Sequence, residues 1–172
     1  MKKVFALSAF AFLMLAVSFQ AQAIEDPNPK GTTVIGVRAG YYPGFGANVV
    51  GDYTLVDSWW KGHFTVGGYA GFNYTPNAGT DYHYSNFAIM PRATYGLNIT
   101  KDFEVHAGIM AGWAFKTWSA ADHLYHGFIQ GEVVGCRYMF TPNFGVEAEM
   151  VYNYNYNGIN MSYFNAGVTF KL

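Results

Sequence analysis

The sequence has few charges and a single cysteine. Charged residues make up 12% of its 172 residues, against roughly 25% in soluble domains. Lys and Arg number 10 and Asp and Glu number 11, so the net charge is near zero and nucleic acid is not an implied partner. Cys136 has no second cysteine to pair with, which excludes an internal disulfide. This is not the composition of an ordinary soluble domain.

Long apolar runs are also scarce, and the one present lies at the N-terminus. Two lysines open the chain, and residues 4–19 are apolar apart from two serines. This run is shorter than the roughly 20 residues of a transmembrane helix. Residues 21–23, Ala-Gln-Ala, have the small-x-small form of a signal-peptidase site. We therefore predict a signal peptide over residues 1–23, cleaved after Ala23, and a short periplasmic segment over 24–31.

Aromatic residues are abundant, at 19%, and several follow a period of two. Between residues 103 and 116, one set of alternate positions is wholly apolar: Phe103, Val105, Ala107, Ile109, Ala111, Trp113 and Phe115. The other set is small or polar: Glu104, His106, Gly108, Met110, Gly112, Ala114 and Lys116. Successive side chains of a strand point to opposite faces. The segment exceeds the five or six residues of a typical soluble strand and suits a tilted membrane strand of about 9–11.

Similar segments recur along the chain. We predict eight strands, near residues 32–43, 47–56, 63–75, 86–99, 103–117, 127–140, 144–156 and 160–172. With no second apolar run long enough for a helix, a membrane crossing requires a closed barrel, and bacterial barrels have even strand numbers. The predicted fold is all-β: an eight-stranded antiparallel transmembrane β-barrel, an up-and-down meander over residues 32–172. A soluble lipocalin-like barrel would instead have an apolar interior and a polar exterior.

The lengths of the connections can be tested against the alternation of side chains between the two faces, which we call parity. Residues that face each other on paired strands share a face, so Ile99 and Phe103 must be joined by an odd loop, and residues 100–102 provide three. Residues 141–143 join Phe140 to Phe144 in the same way. We expect these to be short periplasmic turns.

The connections at the opposite end of the barrel are predicted to be mostly longer and to be extracellular. Residues 75–85 and 117–126 are rich in turn formers, and a three-residue loop at 156–158 preserves parity. Both termini are then periplasmic. Trp59 and Trp60, in a periplasmic connection, are expected to anchor the barrel at the membrane interface.

Two places do not fit this pattern. Pro91 lies within a strand and has no amide hydrogen for the ladder, so we expect a bulge there. In the sixth segment Gln130 and Glu132 share one parity and Arg137 has the other. Either a bulge lies near residues 133–134, or Glu132 stands above the membrane.

The inward parity carries charged residues of both signs. These predicted members of an interior polar network are Arg38, Asp52, Arg92, Glu104, Arg137, Glu147, Glu149 and Lys171. An eight-stranded barrel is just wide enough to be filled by its own side chains, and buried charges need partners, so we interpret the network as a structural plug. A narrow porin-like channel for small or apolar solutes is the alternative. It is favoured by inward glycines that could leave water-filled pockets: Gly36, Gly40, Gly67, Gly71, Gly108 and Gly112.

The last eight residues carry a family resemblance. Asn165, Gly167, Phe170 and Leu172 fit the pattern polar-x-Gly-x-x-aromatic-x-hydrophobic, with Leu in place of the commoner Phe. In this the chain resembles the small outer-membrane β-barrel proteins, the OmpA-barrel and OmpX-like family. The resemblance implies outer-membrane lipid, lipopolysaccharide and the barrel-assembly machinery as partners. It also implies a monomeric, non-enzymatic protein with a structural role, or a surface-interaction role through loops that contact a ligand or host protein.

Other candidate sites are weaker. Residues 83–86, His-Tyr-Ser-Asn, resemble the His-x-Ser-Asn stretch of outer-membrane lipid A deacylases, which implies His83 and Ser85 as catalytic residues. Leu97 stands near the place of the family's acid, however, so a lipid-modifying enzyme is only an alternative. Asp122, His123 and His126 form a loose set, and we expect no metal and no cofactor. Cys136 is interpreted as a small hydrophobe.

Overall fold

In the computed structural model, the described residues are 27–41, 44–59, 62–76, 81–119, 121–155, 159 and 161–172, with the side chains of 58, 121–123 and 155 excepted. The predicted signal peptide and its cleavage site lie outside these residues, so the domain bounds stay predictions. The predicted loop at 156–158 and Trp60 also lie outside them.

Eight antiparallel strands form a closed barrel in which each strand pairs with the next and the last pairs with the first. The all-β fold class and the meander topology are confirmed. The strands are β1 (Thr33–Tyr41), β2 (Phe45–Trp59), β3 (Gly62–Pro76), β4 (His83–Asn98), β5 (Phe103–Trp118), β6 (Ala121–Thr141), β7 (Phe144–Asn155) and β8 (Phe164–Lys171). Within the described residues, no helix has the length and apolar character needed to cross a membrane.

The side chains predicted to face inward lie inside the barrel, and those predicted to face lipid lie on its outside. In β5 the side chains of Glu104 and Met110 are buried inside the barrel, whereas Ile109 is 66% exposed on the outside. The outside carries many large apolar side chains, among them Val37, Val49, Phe72, Phe87, Ile89, Ile109, Trp113, Phe128, Phe140, Phe164 and Phe170. An apolar exterior around a partly charged interior is the reverse of a soluble barrel.

The strands extend unequally at the end opposite the termini. β6 pairs with β7 only from Ile129 onward, yet it continues back to Ala121 in its pairing with β5. The β5–β6 hairpin therefore projects beyond its neighbour. The prediction of a loop over residues 117–126 is wrong, because the hydrogen-bonded ladder continues to Trp118 and Ala121 despite the polar residues near the tip.

One predicted turn is confirmed and the other is corrected. The Ile99 amide donates to the Phe103 carbonyl at 2.9 Å, which closes a three-residue turn over 100–102. In the other turn Thr141 itself pairs with Phe144, leaving two residues in the turn and a register shift between Met139 and Thr141. The extra residue lies in a bulge instead of the loop, so the parity of the two strands is preserved.

Neither predicted bulge forms. The β3–β4 register runs through Pro91 without a shift, and the β4–β5 register is the same on both sides of it. Pairing with β5 lapses only at Met90 and Pro91, because the proline lacks a donor there. The β6 register is likewise continuous through 133–134, so Glu132 simply lies on the outer face of the barrel, where it is exposed.

The depth of the outer apolar face can be tested with one arginine. Val37 is four residues from the start of β1, about 10 Å up a strand tilted by about 40° and so near the middle of a bilayer. Its partners on the neighbouring strands are the apolar Val49 and Val168. In equilibrium unfolding from lipid vesicles, Val37→Arg is expected to destabilise the protein by about 2–4 kcal/mol. Leu124→Arg, on the outer face of the projecting hairpin, should cost about 0–1 kcal/mol. Equal costs at the two positions would contradict a bilayer around the middle of β1.

Candidate functional site

Glu149 of β7 is the centre of the interior network. Its carboxylate accepts two hydrogen bonds from Arg92 of β4, at 2.8 and 3.2 Å. It also forms an ion pair with Arg38 of β1 and lies 2.9 Å from Nε2 of His106. Paired, bidentate geometry of this kind is what makes buried charge tolerable. Glu149 thus connects β1, β4, β5 and β7 across the interior.

Arg137 of β6 holds a second group of carboxylates. It contacts Glu147 through Nη2 at 3.1 Å and Glu104 through Nη1 at 3.2 Å. Asp52 of β2 lies 3.1 Å from Arg92 and 4.0 Å from Arg137, and so joins the two groups. Three guanidinium groups (Arg38, Arg92, Arg137) thereby face four carboxylates (Asp52, Glu104, Glu147, Glu149) within one connected network, with all seven residues buried.

The structure places the eighth predicted residue, Lys171, at the mouth of the barrel where the termini lie. Its ammonium donates to the Pro27 carbonyl at 2.7 Å. Lys171 also lines a cavity of about 10 Å³ together with Glu104 and Arg137. It therefore links the N-terminal segment to the end of the network.

Sequence reasoning missed two members of the site. His63 of β3 lies 3.5 Å from the Glu104 carboxylate, and Asn28 donates to the same carboxylate at 2.8 Å. His63 shares the inward parity of Thr65, so the alternation could have identified it. Asn28 precedes β1 and belongs to no strand, and no pattern in the sequence predicts that it caps the barrel.

The part of the interior farther from the termini holds an apolar cluster together with buried polar residues such as Asn48, Asn73 and Asn86. The residues of the cluster are Val50, Tyr69, Ala88, Met90, Met110, Ala114, Ile129, Val133, Val151, Ile159 and Met161. The last two come from the connection between β7 and β8, and their side chains are buried in the barrel. Ser162, in the same connection, accepts a hydrogen bond from Asn73 at 2.7 Å and its backbone carbonyl accepts one from Asn165 at 3.0 Å. A predicted strand over 160–172 is therefore too long, because β8 begins at Phe164.

The inward glycines make room for long side chains. A Cβ on Gly36 would overlap the Glu147 carboxylate, and one on Gly40 would overlap Ser162. The space that these glycines leave is therefore occupied by protein. A cavity among Asp52, His63, Glu104 and Arg137 is about 10 Å³, room for about one water molecule. The expectation of water-filled pockets beside Gly36 and Gly40 is wrong.

The C-terminal residues divide between the two faces of β8. Asn165 is fully buried and accepts a hydrogen bond from Asn48 at 2.7 Å, while Phe170 and Leu172 are exposed on the outside. A Cβ on Gly167 would overlap the Val37 carbonyl of β1. The polar and glycine positions of the terminal pattern thus serve the β1–β8 seam, and its apolar positions face outward.

The structure does not bring the other candidates together as sites. The ring of His83 contacts Tyr74 at 5.0 Å, and within the described residues His83 forms no ion pair with a carboxylate. The side chains of Asp122 and His123 lie outside the description, and the described residues contain no metal-binding group of three or more His, Cys, Asp or Glu. Cys136 is a free thiol on the outer face of β6, paired in register with Val105 and Ala148.

Known proteins share the fold but little sequence. No protein-family model matches the chain, and no curated protein matches it. Among solved structures, the Yersinia pestis outer membrane protein Ail in a phospholipid bilayer nanodisc has a TM-score of 0.56 at 12% identity, covering 83% of this chain and 100% of that one. Neisserial surface protein A has a TM-score of 0.54 at 16% identity, covering 82% and 94%.

A de novo designed transmembrane β-barrel is similar to the same degree. Its TM-score is 0.52 at 17% identity, with 83% of this chain and 97% of the designed one covered. At such identities the likeness shows the fold alone. The chain therefore has the fold of the small eight-stranded outer-membrane barrels, and the similarity extends to a barrel without natural ancestry.

The contribution of the network can be measured at its centre. Glu149→Gln keeps the shape of the side chain but leaves Arg38 and Arg92 without their shared charge, so we expect a loss of about 3–5 kcal/mol in unfolding free energy. The readout is urea unfolding in detergent micelles, followed by tryptophan fluorescence. Lys101→Gln, which removes the exposed partner of Asp102, should change stability by no more than about 0.5 kcal/mol. A Glu149→Gln variant as stable as Lys101→Gln would contradict the assigned role of the network.

Proposed function

We propose that this chain is a non-enzymatic, monomeric integral protein of the bacterial outer membrane, of the OmpA-barrel and OmpX-like type, that acts through its extracellular end. The observation that carries the proposal is the filled interior. Within the described residues, charged side chains fill the interior nearer the termini, and apolar side chains and asparagines fill it beyond them, which supports a barrel without an internal binding or transport site. The outer apolar face is adapted to lipid, which leaves the projecting strand ends for interaction with other molecules.

The surface role is supported by the form of the barrel's extracellular end. The β5–β6 hairpin projects past β7, and loops positioned by a rigid scaffold are common places for binding. Among barrels with this fold, one is named a surface protein and another an outer membrane protein. We infer a role for this chain in contact with a surface ligand or a host protein.

The environment of the barrel follows from the same arrangement. Outer-membrane lipid and lipopolysaccharide are the proposed contacts of the apolar outer face. The barrel-assembly machinery is proposed to recognise Asn165, Gly167, Phe170 and Leu172. The side chain of Asn165 faces the interior of the barrel, whereas those of Phe170 and Leu172 face outward. The short turns between β4 and β5 and between β6 and β7 are assigned to the periplasm together with both termini.

The proposed orientation predicts which segments are accessible on cells. A peptide tag inserted after Ser119, at the tip of the β5–β6 hairpin, is expected to bind antibody on intact Gram-negative cells. A tag inserted after Lys101, in the β4–β5 turn, should bind antibody only after the outer membrane is permeabilised. Flow cytometry makes the comparison, and heat-modifiable migration on gels checks that both tagged proteins fold. Labelling of the Lys101 tag on intact cells would refute the orientation.

The closed interior predicts electrical silence. In planar lipid bilayers the wild-type protein is expected to produce no discrete conductance steps, because the Glu149 and Arg137 ion pairs and the apolar layer block the interior in series. A general porin reconstituted in the same way serves as the positive control. Steps that change in size in Glu104→Ala or Arg92→Ala would instead establish the narrow channel.

A further inference from the structure

A cluster of aromatic side chains with one lysine lies at the extracellular end of the barrel. We call Tyr82, Tyr84, Lys116, Trp118 and Tyr125 the rim cluster. The Tyr84 and Trp118 rings stack with centroids 5.8 Å apart and planes 15° apart. Tyr82 meets Trp118 edge-on at 6.3 Å, and Nζ of Lys116 lies 4.1 Å from the centroid of the Tyr84 ring. Tyr125 is opposite Lys116 in the β5–β6 register.

The membrane does not account for the rim cluster. Its strand residues have the inward parity: Tyr84 continues the series Ala88 and Asn86, and Lys116 and Trp118 continue the series Met110 and Ala114. Side chains of this parity point to the concave face of the sheet, away from lipid. The aromatic girdle of a membrane barrel lies on the opposite face.

The barrel core does not account for it either. Ala114 and Ala88 are the outermost residues of β5 and β4 in the buried apolar cluster, and the rim cluster lies beyond both. Tyr82 and Tyr125 remain 48% and 45% exposed. On the β7 side, β6 has no pairing with β7 before Ile129 in the described part of the chain, so no described strand stands beside this part of the hairpin.

The chemistry of the cluster suits a sugar ring with a negative charge. The face of an aromatic ring packs against the apolar C–H face of a sugar, and stacked rings supply a rigid platform at low entropic cost. The indole N–H of Trp118 has no hydrogen-bond partner within the described structure, although buried indole groups usually have one. That indole N–H is buried and does not serve as a donor to an incoming ligand, whereas the ammonium of Lys116 can pair with a carboxylate.

The surrounding charges limit how acidic the ligand can be. Lys116 supplies a positive charge on the concave face. Asp81, next to Tyr82, is exposed and supplies a negative charge nearby. Glu132 and His126 lie on the outer face of β6, by their even parity, and do not line the concave face. Among the described side chains of this face, a densely charged polyanion would gain one cation and meet one carboxylate, so a single acidic group per sugar ring is the better match.

We propose that the rim cluster binds an acidic polysaccharide whose rings each carry one carboxylate. Trp118, braced by Tyr84, and Tyr125 provide the stacking faces, and Lys116 pairs with the carboxylate. The assignment rests on the proposed function in placing this face outside the cell.

The test uses three oligomers of matched length against the protein in nanodiscs, with surface plasmon resonance as the readout. Oligogalacturonate offers rings and carboxylates, its methyl ester offers the same rings without charge, and oligoglutamate offers carboxylates without rings. Oligogalacturonate is expected to bind at least about tenfold more tightly than either of the others, since losing the charge or the stacking removes a principal contact.

Variants assign that binding to the rim cluster. Trp118→Leu and Tyr125→Leu are each expected to weaken oligogalacturonate binding by about tenfold, the loss typical of an aromatic contact at a binding centre. Lys116→Gln should abolish the preference for the acid over its ester. Leu124→Ala, on the opposite face of the same strand, and Lys101→Gln, at the other end of the barrel, are the matched controls and should bind as the wild type does.

The outcomes separate this inference from the proposed function. Absence of binding, equal binding of acid and ester, equal binding of oligoglutamate, or rim variants that bind like the controls would each overturn the inference, with heat-modifiable migration showing that the variants fold. None of these results affects the accessibility of the Ser119 tag. Failure of that tag to label intact cells would overturn the proposed orientation while leaving the binding measured in nanodiscs unchanged.

Discussion

The ion pairs of Glu149 with Arg38 and Arg92 tie together strands that are far apart in the chain and across the barrel. None of the three charges could stay buried alone, because desolvation of an unpaired ion costs several kcal/mol. They find one another only when the sheet closes and brings β1, β4 and β7 around a common interior. Closure of the barrel therefore depends on the pairing of these interior charges, and the pairing depends on closure. Gly36 contributes to both, since it leaves room for Glu147 beside Arg38.

The interior holds a charged network nearer the termini and an apolar cluster beyond it, and this order has a consequence for function. A solute entering from the end where the termini lie would have to displace Asn28 and separate ion pairs, and it would then meet the layer around Met90, Met110 and Ile159. The charged network disfavours apolar solutes, and the apolar cluster disfavours ions. Binding specificity is therefore best sought at the strand ends that leave the membrane.

The alternation of side chains made much of this architecture predictable. The outward apolar face and the inward placement of Arg38, Arg92, Glu147 and Glu149 follow from a period of two, which is a local property of each strand. Strand number follows from the recurrence of such segments, and closure follows from the need to leave no unpaired strand edge in lipid. The partners of these charges were not predictable, because they depend on the stagger between strands and on the fold of segments outside them. Asn28 and the buried residues Ile159, Met161 and Ser162 have no periodic signal, and the ladder continues where turn-forming residues indicated a loop at 117–126.

Fold and function separate clearly in this class of protein. A designed barrel has nearly the same likeness to this chain as two natural outer-membrane barrels, so the shared architecture does not distinguish a role. What distinguishes one barrel from another must lie in residues that neither lipid nor the interior accounts for. Trp118 and Tyr84 are residues of this kind, because they face inward but lie beyond the buried apolar cluster. Their exposed neighbours Tyr82 and Tyr125 extend the same face. The concave side of the projecting hairpin is thus the part of the protein whose sequence is least explained by the need to fold in a membrane.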